Sequence, residues 1–236
     1  MGDLAEFQRR HDFSMETLCA RILDRHAGTV RIKKPQVAVP NLVRIVEATL
    51  AISNRKGFHS MSLRDLAEGS GLSMGALYAY FDGKETLLMM VLGQVADAVE
   101  KALRTPPPDV AADPCLRLRW LLETHVYLSE TMHPWFVFAY MEAKAFPKEG
   151  RDLALRSELA TEALIADALA EGVARGRFTI PDLSMTAALI KPLLQDWYVK
   201  RGKYRRREVG PEDYARHVVA FVETAIGARR ADAAAA

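Results

Sequence analysis

Cysteine is scarce in this 236-residue chain: Cys19 and Cys115 are its only two, too few for a disulfide framework. Their expected state is the reduced thiol of a cytoplasmic protein. No charge of one sign dominates. The 32 Lys and Arg stand against 30 Asp and Glu, for a formal charge of +2, which excludes a globally basic, histone-like binder but not a local patch. Long apolar runs are also missing. Even the uncharged apolar stretch Thr131 to Met141 falls short of the roughly 18 residues that a membrane helix requires. The residues before Val30 carry charges throughout and lack the apolar heart of a secretion signal, so neither membrane nor export is expected. Strand-like alternation is rare, and the one hairpin-type pair, Asp82-Gly83, is followed by a helical pattern. What remains is plentiful: half of the residues are hydrophobic, enough to bury a core in one or two domains.

That apolar material recurs at spacings of three and four, so the expected fold is all-α. The spacing predicts a first helix from Leu4 to His26, stopped by Gly28, and then an extended basic arm over Thr29–Val39. Pro40 opens a helix to Lys56, with Gly57 just past its end. Short helices follow from Ser62 to Glu68 or Gly69 and from Ser73 to about Phe81, then a long one over Lys84–Leu103. The Pro106-Pro107-Pro108 cluster marks a linker. Beyond it, helices are predicted over Pro114–Met132, Pro134–Phe146, Arg151–Arg175, Leu183–Lys203 and Pro211–Ala228. Pro192 is expected to kink the fourth of these. There is no internal repeat, and Arg229–Ala236 reads as a frayed, Ala-rich tail. The boundaries drawn are 1–39 for an N-terminal extension and arm, 40–104 for a helix-turn-helix domain with its connecting helix, and 105–236 for a C-terminal helical bundle.

Charge is unevenly placed. From Gly28 to Arg64 the basic residues are Arg31, Lys33, Lys34, Arg44, Arg55, Lys56 and Arg64, and Glu47 is the only acid. A second basic run holds Lys200, Arg201, Lys203, Arg205, Arg206 and Arg207. Either is a solvated face or an anion site. The Ser62–Leu88 string favours the second reading for the first run. It holds two short helices separated by Gly69-Ser70-Gly71-Leu72, an arrangement in which the second helix enters a DNA major groove. Leu66, Leu72, Leu77 and Phe81 serve packing, since such short helices are unstable alone. Ser62 and Ser73 offer hydroxyls and helix-start amides to phosphate. Lys84 sits at a helix start, where a cation suits a phosphate partner better than it suits the helix dipole.

This string also resembles the TetR family of one-component transcriptional repressors. The resemblance lies in the helix Leu42–Asn54 ending in Lys56-Gly57-Phe58, in Met61-Ser62-Leu63-Arg64-Asp65-Leu66-Ala67, in Gly71–Phe81, and in Lys84-Glu85 followed by Leu87 and Leu88. It implies a homodimer with an N-terminal three-helix DNA-binding domain, reading a palindromic operator. It also implies a C-terminal bundle that binds a small inducer and dimerises through its last two helices, with no cofactor, no metal and no catalysis. The family's aromatic positions matching Tyr78 and Tyr80 touch the DNA backbone, although either tyrosine could be a core residue. Many relatives carry a basic or polar residue at Met74 and His at Ala79. Here the groove-facing Met74, Gly75, Ala76 and Ala79 have no side-chain donor, so a bidentate reading of guanine or adenine from this helix is excluded. Discrimination is then expected from Arg64, Ser73 and the arm residues Arg31, Lys33 and Lys34, unless the arm is a flexible tether.

The C-terminal region is less legible. Trp120, His125, Tyr127, Trp135, Phe138, Met141 and Trp197 are the expected lining of an apolar pocket for a lipophilic effector, such as an acyl thioester or an aromatic compound. Any one of them is more often packing than contact. His125, Glu130 and His133 do not have the spacing of a compact metal site. A helical enzyme using this pocket is the alternative, but no nucleophile–base signature supports it. A scaffold whose basic patch binds acidic protein is a third reading.

Overall fold

The helical spacing of the sequence yields helices throughout. This computed structural model describes residues 3–229, and no strand occurs among them. Residues 230–236, in the expected tail, lie outside the described residues. The helices are α1 (Leu4–Arg10), α2 (Met15–Arg25), α3 (Pro35–Lys56), α4 (Leu63–Ser70), α5 (Met74–Leu77) and α6 (Lys84–Leu103). They continue with α7 (Pro108–Ala111), α8 (Pro114–Thr131), α9 (His133–Met141), α10 (Lys148–Ala174), α11 (Leu183–Val199), α12 (Arg201–Arg205) and α13 (Pro211–Ala225).

Two expectations fail near the N-terminus. The single helix expected over Leu4–His26 is broken at His11–Ser14. Ser14 caps α2 by accepting from the Thr17 amide at 3.3 Å, and Asp12 accepts from the Ser14 amide at 2.9 Å and the Thr17 hydroxyl at 2.5 Å. Three local hydrogen bonds therefore compete with helix continuation, the usual action of Ser and Asp near an N-cap. The arm is also shorter than expected. Helix α3 starts at Pro35, and Pro40 lies inside it. A proline at the first helical position loses no hydrogen bond, so Pro35 is the better opener.

The chain forms two compact units. One comprises Asp12–Ala98 together with Met132–Arg156. In it α3 packs on α2, α4 and α9. Leu42, Ile45 and Val46 of α3, Leu66 of α4, Leu77 of α5 and Leu87, Leu88 and Val91 of α6 are fully buried, each stabilising the unit by about 1.5–3 kcal/mol. The other unit comprises His11 and the residues before it, Val99–Thr131 and the chain from Ser157 onward. Its centre is α8, against which α1, α7, α11 and α13 pack. Helix α8 buries Leu118, Leu121, Leu122, Val126 and Leu128 on one broad face and Trp120 and Tyr127 on the opposite one, the wide apolar coverage that a central helix requires. Pro192 lies inside α11, as expected. No described helix is long and apolar enough to cross a membrane.

Candidate functional site

The helix-turn-helix is built by its caps. Ser62 accepts from the Asp65 amide at 3.1 Å, and Asp65 accepts from the Ser62 amide at 2.7 Å, a reciprocal capping box. Lys56 adds an ion pair to the same carboxylate at 2.7 Å. The hydrogen bond from Lys56, then those from Ser62, hold the Asp65 carboxyl well below the usual carboxylate range. Helix α4 ends at Gly71, whose φ of 63° is left-handed and favours glycine. Ser73 then caps α5 by accepting from the Ala76 amide at 3.2 Å. This α-helix has only four residues, fewer than expected. The chain turns at Tyr78–Tyr80 instead of continuing helically to Phe81.

The resulting edge is open. Ser73, Gly75 and Tyr78 are exposed, Tyr78 by 43%, and Met74, Ala76 and Ala79 are half-exposed. Arg64, on the first turn of α4, is exposed and has no ion-pair partner among the described residues. The arm is tied to this edge, because the Arg31 amide donates to the Ala79 carbonyl at 2.8 Å. Arg31 and Lys34 project as exposed residues at the start of the fold.

Four expected contacts are spent inside the protein. Tyr80 is sealed from solvent, and its hydroxyl donates to the Ala38 carbonyl at 3.2 Å; it is a core residue and not a partner for phosphate. The Lys84 ammonium donates to the carbonyls of Phe58, His59 and Met61 at 3.1, 2.9 and 3.1 Å and lies 5.0 Å from the Phe58 ring. It closes the turn before α4, which explains a cation at a helix start without invoking DNA. Lys33 donates to the carbonyls of Ala27 and Val30 at 2.7 and 3.0 Å, so it closes the end of α2. The Ser62 hydroxyl donates to Asp65 at 2.6 Å and is committed to the capping box.

Arg44 is the residue that sequence reasoning missed. It is exposed on α3 and donates to the Gly71 carbonyl at 3.0 Å, directly behind the helix-turn-helix turn. Its only signal was membership of the nearly acid-free segment Gly28–Arg64.

The seven residues expected to line one effector pocket divide between the two units. Trp135, Phe138 and Met141 belong to the unit that holds the helix-turn-helix. There Phe138 packs on Phe58 and Phe146 at ring separations of 5.7 and 5.5 Å, Trp135 is buried, and Met141 is exposed. Aromatic cohesion within a core explains Phe138 fully. In the other unit, Trp197 stacks on Tyr204 and Tyr214 at 5.6 and 5.0 Å and donates to Glu130 at 3.1 Å. His125 meets Lys191 at 3.0 Å, with both residues buried. Burial, then the Lys191 charge, lowers the His125 pKa well below its ordinary value, and burial brings Lys191 down to about 8 despite Glu158 and Glu162 nearby. Trp120 and Tyr127 line one cavity of about 330 Å³ beside α8. Among the described residues no cluster of His, Cys, Asp and Glu is arranged to hold a metal ion. Half of the second basic run is engaged internally: Lys200 and Lys203 pair with Asp196, both at 2.8 Å, and Arg201 pairs with Glu130.

Residues 45–90 match the family model described as bacterial regulatory proteins, tetR family. Residues 111–222 match the one described as tetracyclin repressor-like, C-terminal domain. The HTH-type transcriptional repressor KstR of Rhodococcus jostii (strain RHA1) is 29% identical over 109 residues, which are 43% of this chain and 50% of that protein. The chain spans about half the length of the KstR relatives it matches. A tetR-family regulatory protein from Rhodococcus RHA1 shares the fold with a TM-score of 0.70 at 19% identity, over 80% of this chain and 98% of that one. FadR of Bacillus subtilis, solved in complex with stearoyl-CoA, shares it with a TM-score of 0.58 at 16% identity, over 77% of this chain and 97% of that one.

Proposed function

Because the chain belongs to the TetR family of bacterial transcriptional regulators, we propose that it is a dimeric repressor that holds a palindromic operator and releases it when a lipophilic effector binds. DNA binding falls to residues 40–104 with the arm before them, and effector binding and dimerisation fall to residues 105–236. The observation that carries this reading is the open edge from Ser73 to Tyr78, flanked by the exposed cations Arg31, Lys34, Arg44 and Arg64.

That edge suits a duplex in a specific way. Phosphate contacts fix the register, and base contacts supply the sequence information. Arg31, Lys34 and Arg44 supply positive charge for phosphate, and the Ser73 and Tyr78 hydroxyls are polar tips at the same edge. Gly75 and Ala76 allow close approach to thymine methyl groups but offer no bidentate donor, so Arg64 is the residue able to read a base edge. Two such edges related by a two-fold axis require a roughly palindromic site. Self-association is supported by the large apolar residues left exposed on the last long helices: Met185 and Leu189 of α11 and Phe221 of α13, at 56, 65 and 62%.

For the effector, the stearoyl-CoA bound by FadR supports an acyl thioester, and the apolar content of the C-terminal helices supports a lipophilic body. Release follows if the effector binds better to a conformation whose two edges no longer match successive grooves. The role is binding, not catalysis.

Selection of bound DNA from a random pool tests the proposal. An inverted repeat among the winners, bound with steep salt dependence, is the expected outcome. In that site Arg64→Ala should cost about 1–3 kcal/mol and relax the preference at one position of each half-site. Equal weakening on all sequences would move Arg64 to a phosphate role, and a pool that shows no enrichment would end the regulator reading.

A further inference from the structure

The core of the unit centred on α8 contains a polar contact that neither DNA binding nor a lipophilic effector uses. Lys191 of α11 and His125 of α8 meet, Nζ to Nε2, at 3.0 Å, and they are only 6 and 1% exposed. Lysine is almost never buried so far unless an acid pairs with it. Here the carboxylates of Glu158 and Glu162 on α10 act on Lys191 through space, with no ion pair to it among the described residues. Glu158 is taken by Gln195, one turn beyond Lys191, whose amide donates to it at 2.6 Å.

The contact has the chemistry of an amine and not of a cation. Burial lowers the Lys191 pKa to about 8 in spite of the two acids. Burial, then the Lys191 charge, keeps His125 neutral near pH 7. At that pH roughly one folded chain in ten carries the free amine, against roughly one in a thousand or fewer for an ordinary lysine. A desolvated lysine beside a proton acceptor is an activated nucleophile. The amine also sits at a gap in its helix. Pro192 follows it inside α11 and has no N–H to give to the Ala188 carbonyl. The residues that share the helix faces of the pair, Leu122 and Leu128 on α8 and Ala187 and Leu194 on α11, are fully buried and apolar, so a hydrocarbon tail suits them.

We propose that Lys191 captures an aldehyde with an apolar tail, held reversibly as an imine, with His125 as the proton carrier. The Nζ lone pair attacks the carbonyl carbon, and the carbonyl π pair moves onto oxygen. His125 Nε2 relays the first amine proton to that oxygen, which gives a carbinolamine, and the second to the departing hydroxyl, which leaves as water while the nitrogen lone pair forms the C=N bond. One aldehyde and one amine thus give one imine and one water, with no oxidant or reductant, and hydrolysis reverses the step. The ligand differs in chemistry from an acyl thioester, and its capture does not rest on DNA binding.

Borohydride trapping on the full chain at pH 7, without DNA, tests the proposal. Hexanal is the probe, and peptide mass spectrometry locates the reduced adduct. Lys191 should be modified about tenfold faster than the exposed Lys101 and Lys144, and the preference should vanish in urea, where all lysines titrate alike. Hexanal should raise the melting temperature of the wild type more than hexan-1-ol, which has the same chain without the carbonyl. Lys191→Met should respond equally to both. His125→Gln should slow adduct formation about tenfold or more. Should that variant fail to fold, the wild-type trapping and Lys191→Met still decide. Equal trapping of Lys191 and the exposed lysines in the native chain, equal shifts by hexanal and hexan-1-ol, or an unchanged rate in folded His125→Gln would each overturn the assignment. So would a larger shift by hexanoate without an adduct, which would make Lys191 an anchor for anions. All of these outcomes leave the DNA selection experiment unaffected.

Discussion

The unit that carries the helix-turn-helix and the unit centred on α8 have similar apolar content but are specified differently. In the first, almost every turn has a local cause within a few residues: the Ser62–Asp65 capping box, Gly71 in the left-handed region, and the Ser73 cap. In the second, the determining contacts join distant segments: His125 with Lys191, Glu130 with Trp197 and Arg201, and Arg119 with Glu223. The difference teaches that an exposed helix-turn-helix edge can be written in short range, whereas the core around α8 is written by side chains far apart in sequence. Changes in the first unit should therefore act mainly by removing one local support, and changes in the second by exposing unbalanced long-range pairs.

The largest expected effect tests whether local caps suffice. Helix α5 has four residues and cannot stand alone; it is pinned by Leu77, which is fully buried. Leu77→Ala should cost about 2–5 kcal/mol and abolish operator binding at temperatures where α8 still melts cooperatively, as read by denaturant unfolding and hydrogen exchange. An unchanged midpoint would mean that the caps hold the edge without its core.

The same contrast governs what could be read from the sequence. Ser62, Gly71 and Ser73 announce their roles because a cap needs one residue type at one spacing. The all-helical class was legible for a similar reason, since apolar spacing sets which face is buried. The Tyr78–Tyr80 pair was not, because two tyrosines in one short turn carry identical chemistry; only tertiary packing sends the Tyr80 hydroxyl to Ala38 and leaves Tyr78 outside. Lys84 misled for the same reason: its three carbonyl partners belong to a turn 23–26 residues earlier. The seven residues expected in one pocket belong to both units, because aromatic content does not say which unit a residue joins. Phe138 and Trp197 are both buried aromatics, yet each serves a separate cluster.

The second prediction sharpens the long-range side. Lys191 is buried against His125, with Glu158 held by Gln195 at 2.6 Å. Its pKa is about 8 when folded, against about 10.4 when unfolded. Between those values the unfolded chain binds more protons, so stability should rise with pH, by up to about 3 kcal/mol, and level off above pH ~10. Lys191→Met should remove that rise and stabilise the protein at neutral pH. Calorimetric melts from pH 7 to 10 measure both. A wild-type curve that is flat over this range would show that the ammonium is not penalised by its burial.

A smaller effect is expected at Gly172, inside α10. A Cβ there would lie 1.9 Å from the Phe178 ring, and the Phe178 amide also donates to the Gly172 carbonyl at 3.2 Å. Gly172→Ala usually favours a helix, by about 1 kcal/mol. Here the clash should reverse the sign and cost about 1–3 kcal/mol in thermal unfolding. Gly172→Ala combined with Phe178→Ala should recover the helix-propensity gain while losing the ring's burial, so a double-mutant cycle separates the two contributions.

The subtlest test uses the two tyrosines, since it asks whether one turn holds two separable functions. Tyr80→Phe removes a buried hydroxyl and leaves the Ala38 carbonyl without that partner, so it should cost about 1 kcal/mol of stability with operator affinity unchanged once the protein is folded. Tyr78→Phe removes an exposed hydroxyl, so its unfolding free energy should stay within about 0.5 kcal/mol of wild type, while operator affinity falls by a few-fold. Melts and DNA titrations on both variants give four numbers with a fixed pattern: loss on the diagonal and nothing off it. If Tyr78→Phe destabilised the fold, or Tyr80→Phe weakened DNA binding at full folding, the division of this turn into an outward face for DNA and an inward face for packing would be wrong. The edge would then have to be treated as a single coupled surface.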